Sequence, residues 1–293
     1  MRKAAFHLLG SVALAGTWCA AANAQTSDYP APKVYSTTPT GVNLSDGSFV
    51  ATNVDLSIGT LQLERFYLGG YRVPPPSTPF MGGRFSDNFD IFVSMNLHPA
   101  SPPFAQRYKP IVHIGASASG TYVQETGAMN TVNPSMADAQ NATLQYVSGA
   151  YVYTTQDGTI YTFNPAVPAD GNAHSQRVAS IAYPDGRTLN FSYSGNWVKL
   201  VTDNSGYAIV FDLNADGTTA AACGFNLAVT YVTTATTCSG AGLKVSYDYT
   251  SGVLTSFTDV TGQTTTYSSD ATGNLTCIQP PRLCDLQGAQ HLW

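Results

Sequence analysis

The stretch that decides the fold is Val245–Pro280, VSYDYTSGVLTSFTDVTGQTTTYSSDATGNLTCIQP. Within it, Ser251-Gly252-Val253-Leu254-Thr255 returns 21 residues later as Thr272-Gly273-Asn274-Leu275-Thr276. An aromatic strand precedes each copy, Tyr247-Asp248-Tyr249 before the first and Tyr267 before the second, and Thr258-Asp259 leads to Gly262 between them. A fixed period of this length marks a stacked repeat, in which one unit cannot bury its apolar face without its neighbours.

Upstream the same unit persists in a looser form. A glycine is followed five residues later by an aromatic at Gly158/Phe163, Gly186/Phe191, Gly206/Phe211, Gly242/Tyr247 and Gly262/Tyr267. Glycine supplies the positive φ of a tight hairpin turn, and residues three and five beyond it share one face of the outgoing strand. Those faces carry Tyr161/Phe163, Leu189/Phe191, Ile209/Phe211, Val245/Tyr247 and Thr265/Tyr267, apolar in four of the five pairs, which predicts a packed face. Asp-Gly pairs at 157–158, 185–186 and 216–217, and further turn glycines at Gly195 and Gly252, give a strand-turn-strand-turn ribbon.

The run from Tyr247 to Leu275 resembles the YD repeats of Rhs proteins, whose unit reads Tyr-x-Tyr-Asp-x-x-Gly-x-Leu-Thr followed by a turn with Asp and Gly. The residues that carry it are Tyr247, Asp248, Tyr249, Gly252 and Leu254, then Tyr267, Asp270, Gly273, Asn274 and Leu275. The opening of the chain is similar to the segment before the repeats in bacterial relatives: Gly41, Val42 and Leu44; Asp55 to Gly59; Leu61, Leu63, Arg65 and Tyr67. Met81 to Asp90 is similar to a further family segment, with Phe85 where a tryptophan is usual. The resemblance spans Gly41 to Pro280. It implies the start of an antiparallel β-shell, a structural or encapsulating scaffold whose relatives carry a toxic cargo in competition between bacteria. The Asp-Pro-x-Gly segment and toxic domain that end many relatives are not in this sequence, so the resemblance implies a form lacking its C-terminal cargo.

The rest of the chain is read around that ribbon. Arg2 and Lys3, the apolar run Ala4–Ala15 and Ala22-Asn23-Ala24 predict a signal peptide over 1–24, hence an exported protein, periplasmic, surface-bound or extracellular. A polar, proline-containing leader is expected over 25–40, an N-terminal β region over 41–145 and the repeats over 146–293. Alternation through Leu61, Leu63 and Arg65 reads as a strand with one buried face. Pro74-Pro75-Pro76 and Pro99–Pro110 read as surface loops, and Met136–Leu144 as the one place for a helical turn or two. The class is all-β. Loss of Arg2 and Lys3 takes the formal charge from −5 to −7. With no basic run, nucleic acid and anionic membranes are excluded as the purpose of the chain, and no stretch could cross a membrane as a helix.

Four cysteines follow the signal: Cys223, Cys238, Cys277 and Cys284. In an exported chain they read as disulfides, and proximity favours Cys223–Cys238 and Cys277–Cys284 among three connectivities. Zinc would want tighter C-x2-C pairs and nearby histidine. Asp212, Asn214 and Asp216 before Gly217 spell the first half of a calcium loop, though Cys223 stands where the bidentate Glu belongs, so hairpin-turn chemistry competes with calcium binding. Ser117 lies in a near miss of a nucleophile elbow, and His98, His113, His174 and His291 show no spacing to a nucleophile, so no enzyme is named. Only Glu64 and Glu125 offer glutamates for glycoside hydrolysis. Aromatic side chains such as Trp197 and Trp293 leave a second reading, a secreted carbohydrate-binding or adhesion module with a cell-surface glycan as partner.

Overall fold

The computed structural model describes residues 38, 42, 49–69, 81–98, 107–115, 117–125, 132–134, 141–169 and 175–281. The expected signal peptide, the leader apart from Thr38, Pro74–Pro76, His174, Cys284, His291 and Trp293 lie outside them.

Three strands near the N-terminus form a small antiparallel sheet: β1 (Val50–Ile58), β2 (Leu61–Leu68) and β3 (Phe85–Asp87). The period-2 alternation is realised on β2, where Leu61, Leu63, Arg65 and Tyr67 are all buried. Four more strands follow: β4 (Ile91–His98), β5 (Arg107–Ile114), β6 (Ser117–Glu125) and β7 (Val132–Pro134).

The ribbon is the rest of the chain. It runs through β8 (Thr143–Val147), β9 (Ala150–Thr154), β10 (Ile160–Asn164), β11 (Gln176–Ala182), β12 (Thr188–Ser194) and β13 (Trp197–Asp203). It continues through β14 (Tyr207–Leu213), β15 (Thr219–Asn226), β16 (Lys244–Thr250), β17 (Val253–Thr258), β18 (Thr264–Ser269) and β19 (Leu275–Gln279). Each strand pairs antiparallel with the next. β4 and β12 share one edge of β11, through Gln176–Arg177 and Ser180–Ala182 respectively, which joins β4–β7 to the ribbon in one sheet of 16 described strands. The division expected at 145/146 therefore falls inside β8.

Two turn chemistries recur along the ribbon. Ser148-Gly149 and Ser251-Gly252 are two-residue loops with both residues at positive φ. In the second kind the glycine N–H bonds back three residues while the first turn residue bonds forward four, as at Asn214–Thr218 and Asp270–Asn274. That is a type I turn closed by a left-handed glycine. The aspartate tightens it: Asp270 Oδ1 accepts from the N–H groups of Thr272 and Asn274 at 2.9 and 2.8 Å.

Phe163, Phe191, Phe211, Tyr247 and Tyr267 are all buried on one face of the ribbon. The β1–β3 sheet covers that face. Phe85 of β3 meets Tyr267 edge-on at 5.4 Å, and Phe89 meets Phe191 and Phe211 at 5.9 and 6.2 Å. On β14, Ala208, Ile209, Val210 and Phe211 are buried without alternation, because the strand is covered on both sides. Its outer side holds a second core of Leu200, Ala208, Val210, Ala221, Cys223 and Cys238, closed by the excursion over 227–243 and its Cys223–Cys238 disulfide.

Three expectations are corrected. Gly242 has no positive φ, because it ends the long disulfide-held excursion instead of forming a hairpin turn. Arg107–Pro110 is strand, not loop: β5 pairs fully with β4, while its ladder to β6 skips Lys109 and Pro110, where proline has no N–H to give. Of the stretch expected to be helical, Thr143 and Leu144 open β8 and Met136–Gln140 lies outside the described residues.

Candidate functional site

The β1–β2 hairpin delivers Asp55 and Arg65 to the inner face of the ribbon. Arg65 Nε and Nη2 donate to Asp55 Oδ2 and Oδ1 at 2.8 and 3.0 Å, and the Tyr247 hydroxyl donates to the same Oδ2 at 2.8 Å. Arg65 is 1% exposed. Its guanidinium carbon lies 4.7 Å from the Phe257 ring centre, 5.1 Å from Tyr267, 5.5 Å from Phe85 and 5.9 Å from Tyr247. Burial opposes the guanidinium charge, but the hydrogen bonds and charge of Asp55 outweigh it and raise the pKa above its ordinary value. Burial, with Asp55 adding to it, pushes the Tyr247 hydroxyl well up. The cluster is a neutral, desolvated ion pair in an aromatic box. Arg65 Nη1 is buried without a hydrogen-bond acceptor.

Beside this cluster lies an open cleft of about 400 Å³ between β1 and the last strands of the ribbon. Phe49 to Asp55 form one wall, and Phe257, Tyr267 and Ile278 are on the other.

A second buried charge cluster sits where β3 turns into β4. Arg177 Nη1 donates to Asp90 Oδ1 at 2.6 Å, and Ser86 Oγ donates to Asp90 Oδ2 at 3.2 Å. Asp87 Oδ1 accepts the Phe89 N–H at 2.7 Å. Burial, then the neighbouring Asp90 charge, pushes the Asp87 carboxyl up to about 7. On β4 and β5, Ser94 Oγ and His113 Nε2 are 2.8 Å apart, and the imidazole stacks on Phe92 at 4.4 Å. Sequence spacing missed both groupings, since each is made by register between strands.

The side chains of the calcium-loop residues are engaged by protein groups. Asp212 accepts from Lys199 Nζ at 3.1 Å and from the Cys238 N–H at 2.8 Å. Asp216 accepts the Thr218 N–H and hydroxyl, and Asn214 donates to that hydroxyl. Among the described residues no group of three or more His, Cys, Asp or Glu side chains is placed to hold a metal ion. Cys223 and Cys238 are bonded, while Cys277 is an exposed thiol and its expected partner Cys284 lies outside the described residues. Trp197 is not the exposed ring that the glycan reading needs. It is half-buried over Gly217, where any Cβ would collide with the indole.

No helix among the described residues is long and apolar enough to cross a membrane. Compared with known proteins, the chain matches no family model and no curated protein.

Proposed function

We propose that the chain is an exported structural scaffold of the Rhs/YD-repeat type, folded as part of an encapsulating β-shell. The single observation that carries this reading is the regular antiparallel ribbon β8–β19, whose inner aromatic face is packed against the chain's own β1–β3 sheet. A ribbon of this kind grows by adding hairpins, and β19 is its last described strand. The work of such a protein is mechanical, and the buried ion pairs are its internal ties.

The coding sequence beyond the codon for Trp293 tests the proposal. In-frame continuation into further Gly-x-Leu-Thr repeats and a distinct C-terminal domain is expected. A stop codon directly after Trp293, with an exported chain that binds glycans saturably, would overturn it in favour of an adhesion module. Tyr231 favours that second reading. It is 89% exposed beside Val229 on the disulfide-held excursion. Loss of binding in Tyr231→Ala on a glycan array is its test.

A further inference from the structure

We propose that the cleft between β1 and the end of the ribbon is a binding site for an extended, uncharged peptide strand. Its first wall is seven consecutive residues of one chain segment, Phe49–Asp55, so what it offers is mainly backbone. Phe49 bridges to Val42, and β1 pairs with β2 on its other side. That leaves Val50–Val54 as an open edge among the described residues. An open edge is a template for an incoming strand, which supplies main-chain hydrogen bonds along its length.

The opposite wall is inner-face ribbon left uncovered. Ile278 pairs directly across from Tyr267 and so shares its face, yet it is 37% exposed where Tyr267 is 7% exposed. Val54, across the cleft, is 53% exposed. These apolar positions at both rims suit alternate side chains of an extended segment.

Charge decides between a neutral and an acidic occupant. Arg65 and Asp55 are the cleft's charged residues and already neutralise each other at 2.8 Å. A second carboxylate would leave a net negative charge beside a desolvated pair, which disfavours an acidic occupant. A neutral peptide strand adds no charge beside that pair.

The test titrates the purified exported chain with a labelled, terminally blocked synthetic peptide copying Thr264–Gln279 with D270N and C277S, an uncharged version of a repeat hairpin of the chain itself. Saturable binding is expected, weakened at least about tenfold by either Val54→Lys or Ile278→Lys, because a charged edge side chain blocks strand addition. Val260→Lys, at an exposed valine outside the cleft walls, leaves binding unchanged and controls for charge. Circular dichroism of each variant separates lost binding from lost fold. No saturable binding, equal binding by both cleft variants, or binding of a neutral oligosaccharide in place of the peptide overturns the proposal. The site is argued from the cleft alone, so its failure leaves the scaffold reading intact.

Discussion

The Tyr247 hydroxyl reaches back 192 residues to donate a 2.8 Å hydrogen bond to Asp55. That bond ties the ribbon to the sheet that fills its inner face, and it works through Arg65, which Asp55 holds on two nitrogens. Tyr247→Phe removes one donor and leaves the ion pair intact. It is expected to cost about 1–2 kcal/mol. Asp55→Ala strands Arg65 uncompensated and is expected to cost about 3–5 kcal/mol. Denaturant unfolding of the disulfide-intact chain measures both, and equal costs would contradict the tie.

Gly217 and Gly273 occupy equivalent turns with φ of 87° and 79°, but only Gly217 lies beneath a side chain, Trp197. Gly273→Ala is expected to cost about 1–2 kcal/mol for the left-handed backbone alone. Gly217→Ala must in addition displace the indole. It should cost more and shift the Trp197 emission to the red, whereas Gly273→Ala leaves the emission unchanged.

The raised Asp87 carboxyl makes stability depend on pH. Its folded pKa of about 7 lies above the 3.8 of an unperturbed aspartate, so the folded chain holds a proton that the unfolded chain releases. This contribution is fully present below about pH 4, declines as pH rises, and is gone above about pH 7. Asp87→Asn keeps the acceptor for the Phe89 N–H and cannot ionise. Unfolding free energies at pH 5 and pH 8 are expected to differ less in the variant than in the parent chain.

Reduction of Cys223–Cys238 releases the excursion that covers Leu200 and Val210 on the outer side of the ribbon. Closing a loop of this length stabilises by about 3 kcal/mol in the chain-entropy view. The double variant Cys223→Ala/Cys238→Ala should lose about that much and bind a hydrophobic dye, with β8–β11 unchanged in hydrogen exchange.

The ribbon was legible because turn chemistry and strand period are local. Asp157-Gly158, Asp185-Gly186 and the aromatics five residues beyond such glycines follow from φ and pleat alone. Gly242 misled because the same spacing arises where a long excursion happens to end on a glycine. Arg65 read as one position in an alternating strand; its role depends on Asp55 across a hairpin and on Tyr247, Phe257 and Tyr267 from the far end of the chain. Likewise Trp197 looked like an exposed platform because nothing near it in sequence announces Gly217 as its seat. Long-range register made the site, and no short window contains it.

The ribbon is built on the β1–β3 sheet through Asp55, Arg65 and Tyr247. Hydrogen exchange of Asp55→Ala against the parent chain tests this most directly. Faster exchange is expected in β1 and β2 and also in β16–β18, more than 180 residues from Asp55 in sequence. Faster exchange confined to β1 and β2, with β16–β18 as protected as before, would contradict it.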